Sequence, residues 1–161
     1  MATVTTNRIE KSVLIRAPRA RVWRALSNAR EFGAWFGVSL EGEFAPGQYL
    51  PGKIASTGPD DPNHPYVGQQ CDLWVEQMEP ERLFSYRWYA YAPAQGERWE
   101  DISKNLVVFT LEDADGGTLL KIVESGFDAI PEDRRAQALE GNTEGWAMQA
   151  ERIKRYVEER A

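Results

Sequence analysis

The sequence predicts an α+β domain in which one curved antiparallel sheet buries a long C-terminal helix. Three features predict it: a strand pattern followed by two short helical patterns, several strand patterns in succession between 67 and 125, and an apolar stripe at helical spacing from Trp146 to Val157. The chain has 161 residues, which fits one domain; it is expected to span residues 7 to 160, behind a flexible N-terminus of residues 1 to 6.

From Ile9 to Ile15 the apolar Ile9, Val13 and Ile15 share one face at period two, with Lys11 as the odd member, the pattern of a strand. Ala17-Pro18 breaks it, and Pro18 suits the first turn of a helix in which Val22, Trp23 and Leu26 follow at helical spacing. Phe32, Trp35 and Phe36 repeat that spacing in a second short helix. Between Gly42 and Gly68 lie five of the nine prolines, so any strand there is short and edge-like.

Val67 to Met78 resumes strand character, and Glu79-Pro80-Glu81 turns into Leu83 to Tyr91, where Phe84, Tyr86 and Trp88 share the inward face and Ser85 and Arg87 the other. Asn105 to Glu112 and Thr118 to Ser125 flank Asp113-Ala114-Asp115-Gly116-Gly117, a connector of the hairpin kind. Its inward residues are Val107, Phe109 and Leu111 on one strand and Leu120, Ile122 and Glu124 on the other, which puts a carboxylate on an apolar face. Pro131, Glu132 and Asp133 mark a helix start. Gly141-Asn142 predicts an interruption, after which a longer helix of roughly 27 Å carries Trp146, Gln149, Ala150, Ile153, Tyr156 and Val157 on one stripe.

Composition excludes several functions. Lys and Arg number 19 against 25 Asp and Glu, a net charge of -6, which argues against nucleic acid or an anionic membrane as the main partner. Apolar runs such as Leu106-Val107-Val108-Phe109 are far shorter than the about 20 residues of a membrane span, and Met1 to Arg8 lacks the pattern of a secretory signal. Cys71 is the only cysteine and His64 the only histidine, so no intrachain disulfide forms, zinc sites of three or four Cys/His ligands are excluded, and histidine-cycled proton transfer is disfavoured. The expected location is the cytoplasm. No G-x-S-x-G elbow and no phosphate-binding glycine motif is present, and no metal or other cofactor is expected.

Ile15-Arg16-Ala17-Pro18, Val22-Trp23-Arg24-Ala25-Leu26, Trp35-Phe36, Pro46-Gly47, Arg82-Leu83 leading to Trp88, Gly117-Thr118, Glu124-Ser125-Gly126-Phe127 and Gly145-Trp146 occur in this order. The set resembles the activator of heat-shock protein 90 ATPase homologue-like family, within the SRPBCC or START-like superfamily, from Asn7 to about Glu159. The specificity lies in the ordered set, since each piece alone is weak. The resemblance implies a helix-grip fold, START-like and Bet v-like, with a cavity between sheet and C-terminal helix that in the superfamily commonly holds hydrophobic or aromatic small molecules. Functions on this fold range from lipid carriage to aromatic cyclisation and co-chaperone work, so the fold alone does not choose. Two segments, Gly58 to Tyr66 and Ala92 to Ser103, look extended beyond the compact bacterial pattern and would lie at the cavity mouth.

The cavity candidates are Trp35, Phe36, Tyr86, Trp88, Phe109, Ile122, Glu124, Phe127, Trp146, Gln149 and Ile153. Aromatic side chains offer flat apolar walls, and they serve equally as plain core. Glu124 among apolar neighbours would have a raised pKa and act as an acid, a base or a ligand anchor; alternatively it pairs with an arginine or caps a backbone group. Arg87 and Gln149 either orient a ligand or face solvent. His64 sits in a Pro/Asn/Asp cluster that reads as a turn, and Cys71 reads as an inert strand residue.

The expected function is a cytoplasmic domain binding a small hydrophobic or aromatic ligand, without catalysis of its own. One alternative is a chaperone-associated regulator of a heat-shock protein 90 type ATPase; another is a cyclase-like or hydratase-like enzyme in which Glu124 or Arg87 polarises a carbonyl. A homodimer is compatible with a small domain of this kind.

Overall fold

The structure, a computed structural model, describes residues 7–55 and 67–160. The flexible N-terminus expected for residues 1 to 6 and the Gly58 to Tyr66 segment with His64 lie outside the described residues.

Strand β1 (Arg8–Ile15) leads into helices α1 (Arg19–Ser27) and α2 (Ala29–Phe36). Short strands β2 (Val38–Leu40), β3 (Tyr49–Leu50) and β4 (Gly52–Ile54) follow, then β5 (Leu73–Glu79), β6 (Leu83–Tyr89), β7 (Lys104–Ala114) and β8 (Gly117–Ser125), and finally α3 (Glu132–Glu159). Six strands form one antiparallel sheet in the order β1-β8-β7-β6-β5-β3, and β2 pairs with β4 in a second, two-stranded sheet. This is the helix-grip fold: the curved sheet wraps α3, with α1 and α2 inserted after β1. No helix among the described residues is long and apolar enough to cross a membrane.

Local chemistry sets the boundaries. Asn28 caps α2, its side chain accepting from the Glu31 N–H at 3.0 Å, which satisfies one of the orphan donors of the first turn. The β7–β8 hairpin turns through Asp115-Gly116, and Gly116 at φ 85° takes a left-handed conformation that costs a side-chain-bearing residue about 1–2 kcal/mol. A bulge between Val75 and Gln77 breaks the β5–β6 register and adds local twist to the sheet.

Two sequence expectations need correction. Strand β5 starts at Leu73 rather than Val67, because the preceding backbone is claimed by the small sheet: the Ile54 N–H donates to Gln69 at 2.8 Å and the Cys71 N–H to Gly52 at 2.8 Å. The second concerns Gly141-Asn142, which does not interrupt α3; one helix of 28 residues runs through it. A glycine inside a helix costs only about 1 kcal/mol. The buried stripe of Ala138, Trp146, Gln149, Ala150, Ile153 and Val157 continues across the site and outweighs that cost.

The core lies between sheet and α3 and is rich in aromatic rings. Phe32 sits at its centre, with ring centroids of Trp35, Phe36, Phe44, Phe84, Tyr86 and Phe109 between 4.9 and 6.4 Å away. These distances are those of edge-to-face and stacked contacts, which add to the burial of apolar area.

Candidate functional site

The alternation of β8 turns Leu120, Ile122 and Glu124 toward α3, and all three are buried. Glu124 is fully enclosed, so its carboxylate oxygens must find donors inside the protein. Four side chains supply them. The Trp88 indole N–H of β6 donates to Oε2 at 2.8 Å and the Asn105 amide of β7 to the same oxygen at 3.1 Å. From α3 the Trp146 indole donates to Oε1 at 2.8 Å, and the Asn142 amide nitrogen lies 3.2 and 3.1 Å from the two oxygens. Asn142 and Trp146 are four residues apart and so stand on one face of α3, which the carboxylate fastens to β6, β7 and β8.

None of these four donors carries a charge. Burial therefore raises the Glu124 pKa, and the N–H groups of Trp146, Trp88, Asn105 and Asn142 offset that only in part. The arginine partner weighed from sequence is not among its contacts. Arg87 is on the outer face of β6, ion-paired with Glu76 at 2.5 Å and half exposed.

Around Glu124 the structure brings together Phe36, Tyr86, Trp88, Phe109 and Trp146. Trp88 lies 5.5 Å from Trp146, 5.8 Å from Phe36 and 5.7 Å from Tyr86, and Phe109 lies 5.9 Å from both Tyr86 and Trp146. Ile122 stands opposite Phe109 in the register, and Ile153 completes the buried stripe of α3. Gln149 donates from Nε2 to the Phe36 carbonyl at 2.9 Å, while its buried Oε1 meets no donor among the described residues. Trp35 is set apart, its indole donating to the Ala25 carbonyl at 2.8 Å. Phe127, also fully buried, follows β8 in a single 3-10 turn, and its carbonyl accepts from Arg135 at 3.1 Å.

Open space begins at the end of this cluster. A pocket of about 150 Å³ is lined by Asp72, Trp88, Tyr89, Tyr91, Trp99 and Asn142, among others. A second, of about 370 Å³, is lined by Gln69, Tyr91, Arg134, Gln137, Gly141 and Asn142. The two share Gln69, Tyr91, Ala92 and Asn142, which makes them neighbouring parts of one mouth between the sheet and α3. A larger groove of about 880 Å³ runs between α2 and β2, past Arg30, Ser39 and Glu43, and touches none of the candidate residues. Of those candidates only Trp88 lines any of the three; the other ten are on none of their walls.

The mouth carries its own polar groups. Asp72 is 3% exposed and accepts from the Tyr49 hydroxyl at 2.9 Å, the Gly52 N–H at 3.1 Å and the Gln70 amide at 2.5 Å. Arg134 pairs with Glu97 at 2.6 Å and lies 4.4 Å over the Tyr91 ring. Cys71, on the wall, has its thiol pushed up to about 12 by burial and the Asp72 charge, so it is not a thiolate at neutral pH. Sequence reasoning missed Asn142, Asp72, Tyr89, Tyr91 and Trp99. For Asn142 a signal existed: a residue that favours caps over helix interiors, four positions before a tryptophan, marks a side chain with a partner elsewhere.

The family model described as Activator of Hsp90 ATPase homolog 1-like protein matches residues 16–158. No curated protein matches the sequence. Among solved structures, a protein from Mesorhizobium loti superposes with a TM-score of 0.72 at 23% identity, over 94% of this chain and 97% of that one. A protein from Arthrobacter aurescens gives 0.71 at 18% identity, over 99% and 90%. The Aha1 dimer from Colwellia psychrerythraea gives 0.68 at 15% identity, over 94% and 96%.

Proposed function

The chain belongs to the Activator of Hsp90 ATPase homolog 1-like family, and from that premise we propose that it is a cytoplasmic, non-catalytic domain that binds a small aromatic or largely apolar molecule at the mouth between sheet and α3. The observation that carries the reading is the pair of adjoining pockets walled by Trp88, Tyr89, Tyr91 and Trp99, with Asn142 common to both. Concave, aromatic-lined space with a few fixed polar groups is the usual form of a small-molecule site. Of the residues expected to line an interior cavity, Trp88 forms the ligand wall and Glu124 holds that wall in place from behind. Phe36, Tyr86, Phe109, Ile122, Phe127, Trp146, Gln149 and Ile153 supply the packed support, and Trp35 supports it at one remove.

Native mass spectrometry and a thermal-shift screen of neutral aromatic molecules test this reading. A ligand at about 100 times its dissociation constant raises stability by about 2.7 kcal/mol. Tyr91→Ala and Trp99→Ala, both on the pocket wall and only partly buried, should abolish the shift while leaving the unliganded protein folded. No shift with any compound in the screen would overturn it.

A second reading, regulation of a heat-shock protein 90 type ATPase through the outer surface, is favoured by one observation. The interior candidates Tyr86, Phe109 and Trp146 are at most 2% exposed and are taken up by packing. Stimulation of a purified ATPase of that type would support it. The cyclase or hydratase reading draws no support, since Glu124 is enclosed by four donors and Arg87 faces away, tied to Glu76.

A further inference from the structure

The ligand chemistry of the mouth follows from which end of the Asn142 amide faces it. An asparagine amide has one donor end and one acceptor end, and a neighbour that offers only acceptors fixes which is which. Asn142 has two such neighbours. Its nitrogen lies 3.2 and 3.1 Å from the Glu124 carboxylate oxygens and 3.4 Å from the Ala90 carbonyl oxygen. The carbonyl is an acceptor at every pH, and the carboxylate already receives the indole N–H groups of Trp88 and Trp146 and the amide of Asn105.

With the nitrogen held inward, the amide oxygen is left for the other side. Asn142 lines both pockets, and among the described residues no donor reaches its Oδ1. The narrower pocket also has Asp72, whose carboxylate accepts from Tyr49, Gly52 and Gln70, so this wall is rich in acceptors. Its volume of about 150 Å³ admits one aromatic ring between the side chains of Trp88, Tyr89, Tyr91 and Trp99, and the adjoining space of about 370 Å³, which shares Tyr91 and Asn142, leaves room for a second, fused ring.

We infer that the mouth selects uncharged aromatic molecules that present a hydrogen-bond donor, a phenolic hydroxyl or an aromatic N–H, to Asn142 Oδ1, and that Glu124 is the positioning residue that keeps this acceptor turned outward. The inference rests on the proposed reading of the mouth as a ligand site and adds the chemistry it recognises. A methyl ether of the same shape leaves the acceptor unpaired and loses the hydrogen bond, while an aromatic carboxylate in the narrower pocket meets the Asp72 carboxylate; Arg134, the one cation lining the two pockets among the described residues, is on the wider one and is already paired with Glu97.

The test is a calorimetric titration of the whole protein with 2-naphthol and with 2-methoxynaphthalene. The expected result is 2-naphthol binding about fivefold to tenfold tighter, with the preference lost in Asn142→Ala while the ether still binds. Glu124→Gln frees the amide to turn, so there the preference should shrink even if the fold is retained. Equal binding of the two probes to the unaltered protein overturns the inference and leaves the ligand site standing. A preference that survives in Asn142→Ala overturns the assignment to that residue. Binding of neither probe, with no shift from any neutral aromatic compound, removes the ligand site and this inference with it.

Discussion

Of the glutamates that fasten α3 to the rest of the protein, Glu124 lies inside and Glu31 near the surface, and the difference between their surroundings sets what each does. Glu31, on α2, accepts from the Tyr156 hydroxyl of α3 at 3.0 Å and pairs with Arg21 and Arg24, both at 2.9 Å. Burial raises its pKa, but the Tyr156 hydroxyl and the two arginines outweigh that, and the net displacement is downward. Glu124, on β8 against the middle of the same helix's buried face, has four neutral donors and no cation among the described residues, and its net displacement is upward. Neutral N–H groups complete the hydrogen bonding of a buried carboxylate without repaying all the lost hydration; guanidinium groups beside water do.

Removing each carboxylate in turn separates the two roles. Glu124→Ala takes the acceptor from the buried Trp146 indole and Asn105 amide and from the partly buried Trp88 and Asn142, and should cost about 3–5 kcal/mol. At about 2–4 °C per kcal/mol, that is a melting point lower by roughly 10 °C. Glu124→Gln keeps one acceptor oxygen and should lose about half as much in urea denaturation. A loss under about 1 kcal/mol for Glu124→Ala would mean that its donors find other partners.

Next in size is the pH dependence. A group whose folded pKa is raised holds its proton more tightly in the native state, so its contribution to stability is full below the unfolded value and declines as pH rises through the folded one. Glu124 should thus make stability fall from about pH 4.5 upward, and Glu124→Gln should flatten that slope. Glu31 works in the opposite sense: its folded pKa is lowered, so its contribution is present above the unfolded value and is lost as pH falls through the folded one. Chemical denaturation at a series of pH values, for both Glu→Gln variants, separates the two slopes.

The smallest effect is ionic. Glu31 is partly exposed, so its pairs are discounted for screening, and Glu31→Gln should cost about 0.5–1 kcal/mol at low salt. In about 1 M NaCl, where the Debye length is about 3 Å, that cost should shrink. The cost of Glu124→Gln, shielded from ions, should not change with salt.

Much of this arrangement was legible in the sequence. Period-two alternation placed Phe84 and Tyr86 inward on β6 and Glu124 inward on β8, and the helical stripe placed Trp146, Gln149 and Ile153 against them. What alternation does not encode is the third dimension. It says that Trp88 and Trp146 face the interior, not that both indoles converge on one carboxylate. Nor does it say that their rings pack against Phe36, leaving the open space at Tyr91 and Trp99 instead. Gly141-Asn142 misled for a related reason: local propensity marks a break, while the long-range bond from Asn142 to Glu124 gives that residue its place inside a continuous helix.

A ligand site at the mouth, ahead of a closed core, can be followed by NMR of the six tryptophan indole N–H groups during titration with 2-naphthol. Trp88 and Trp99 line the mouth, whereas Trp23 packs on Phe84 and Trp35 donates to Ala25 deep in the α1–α2 region. The Trp88 and Trp99 resonances should move with one binding curve while those of Trp23 and Trp35 stay in place. Movement confined to Trp23 and Trp35, or no movement at any indole, would contradict it.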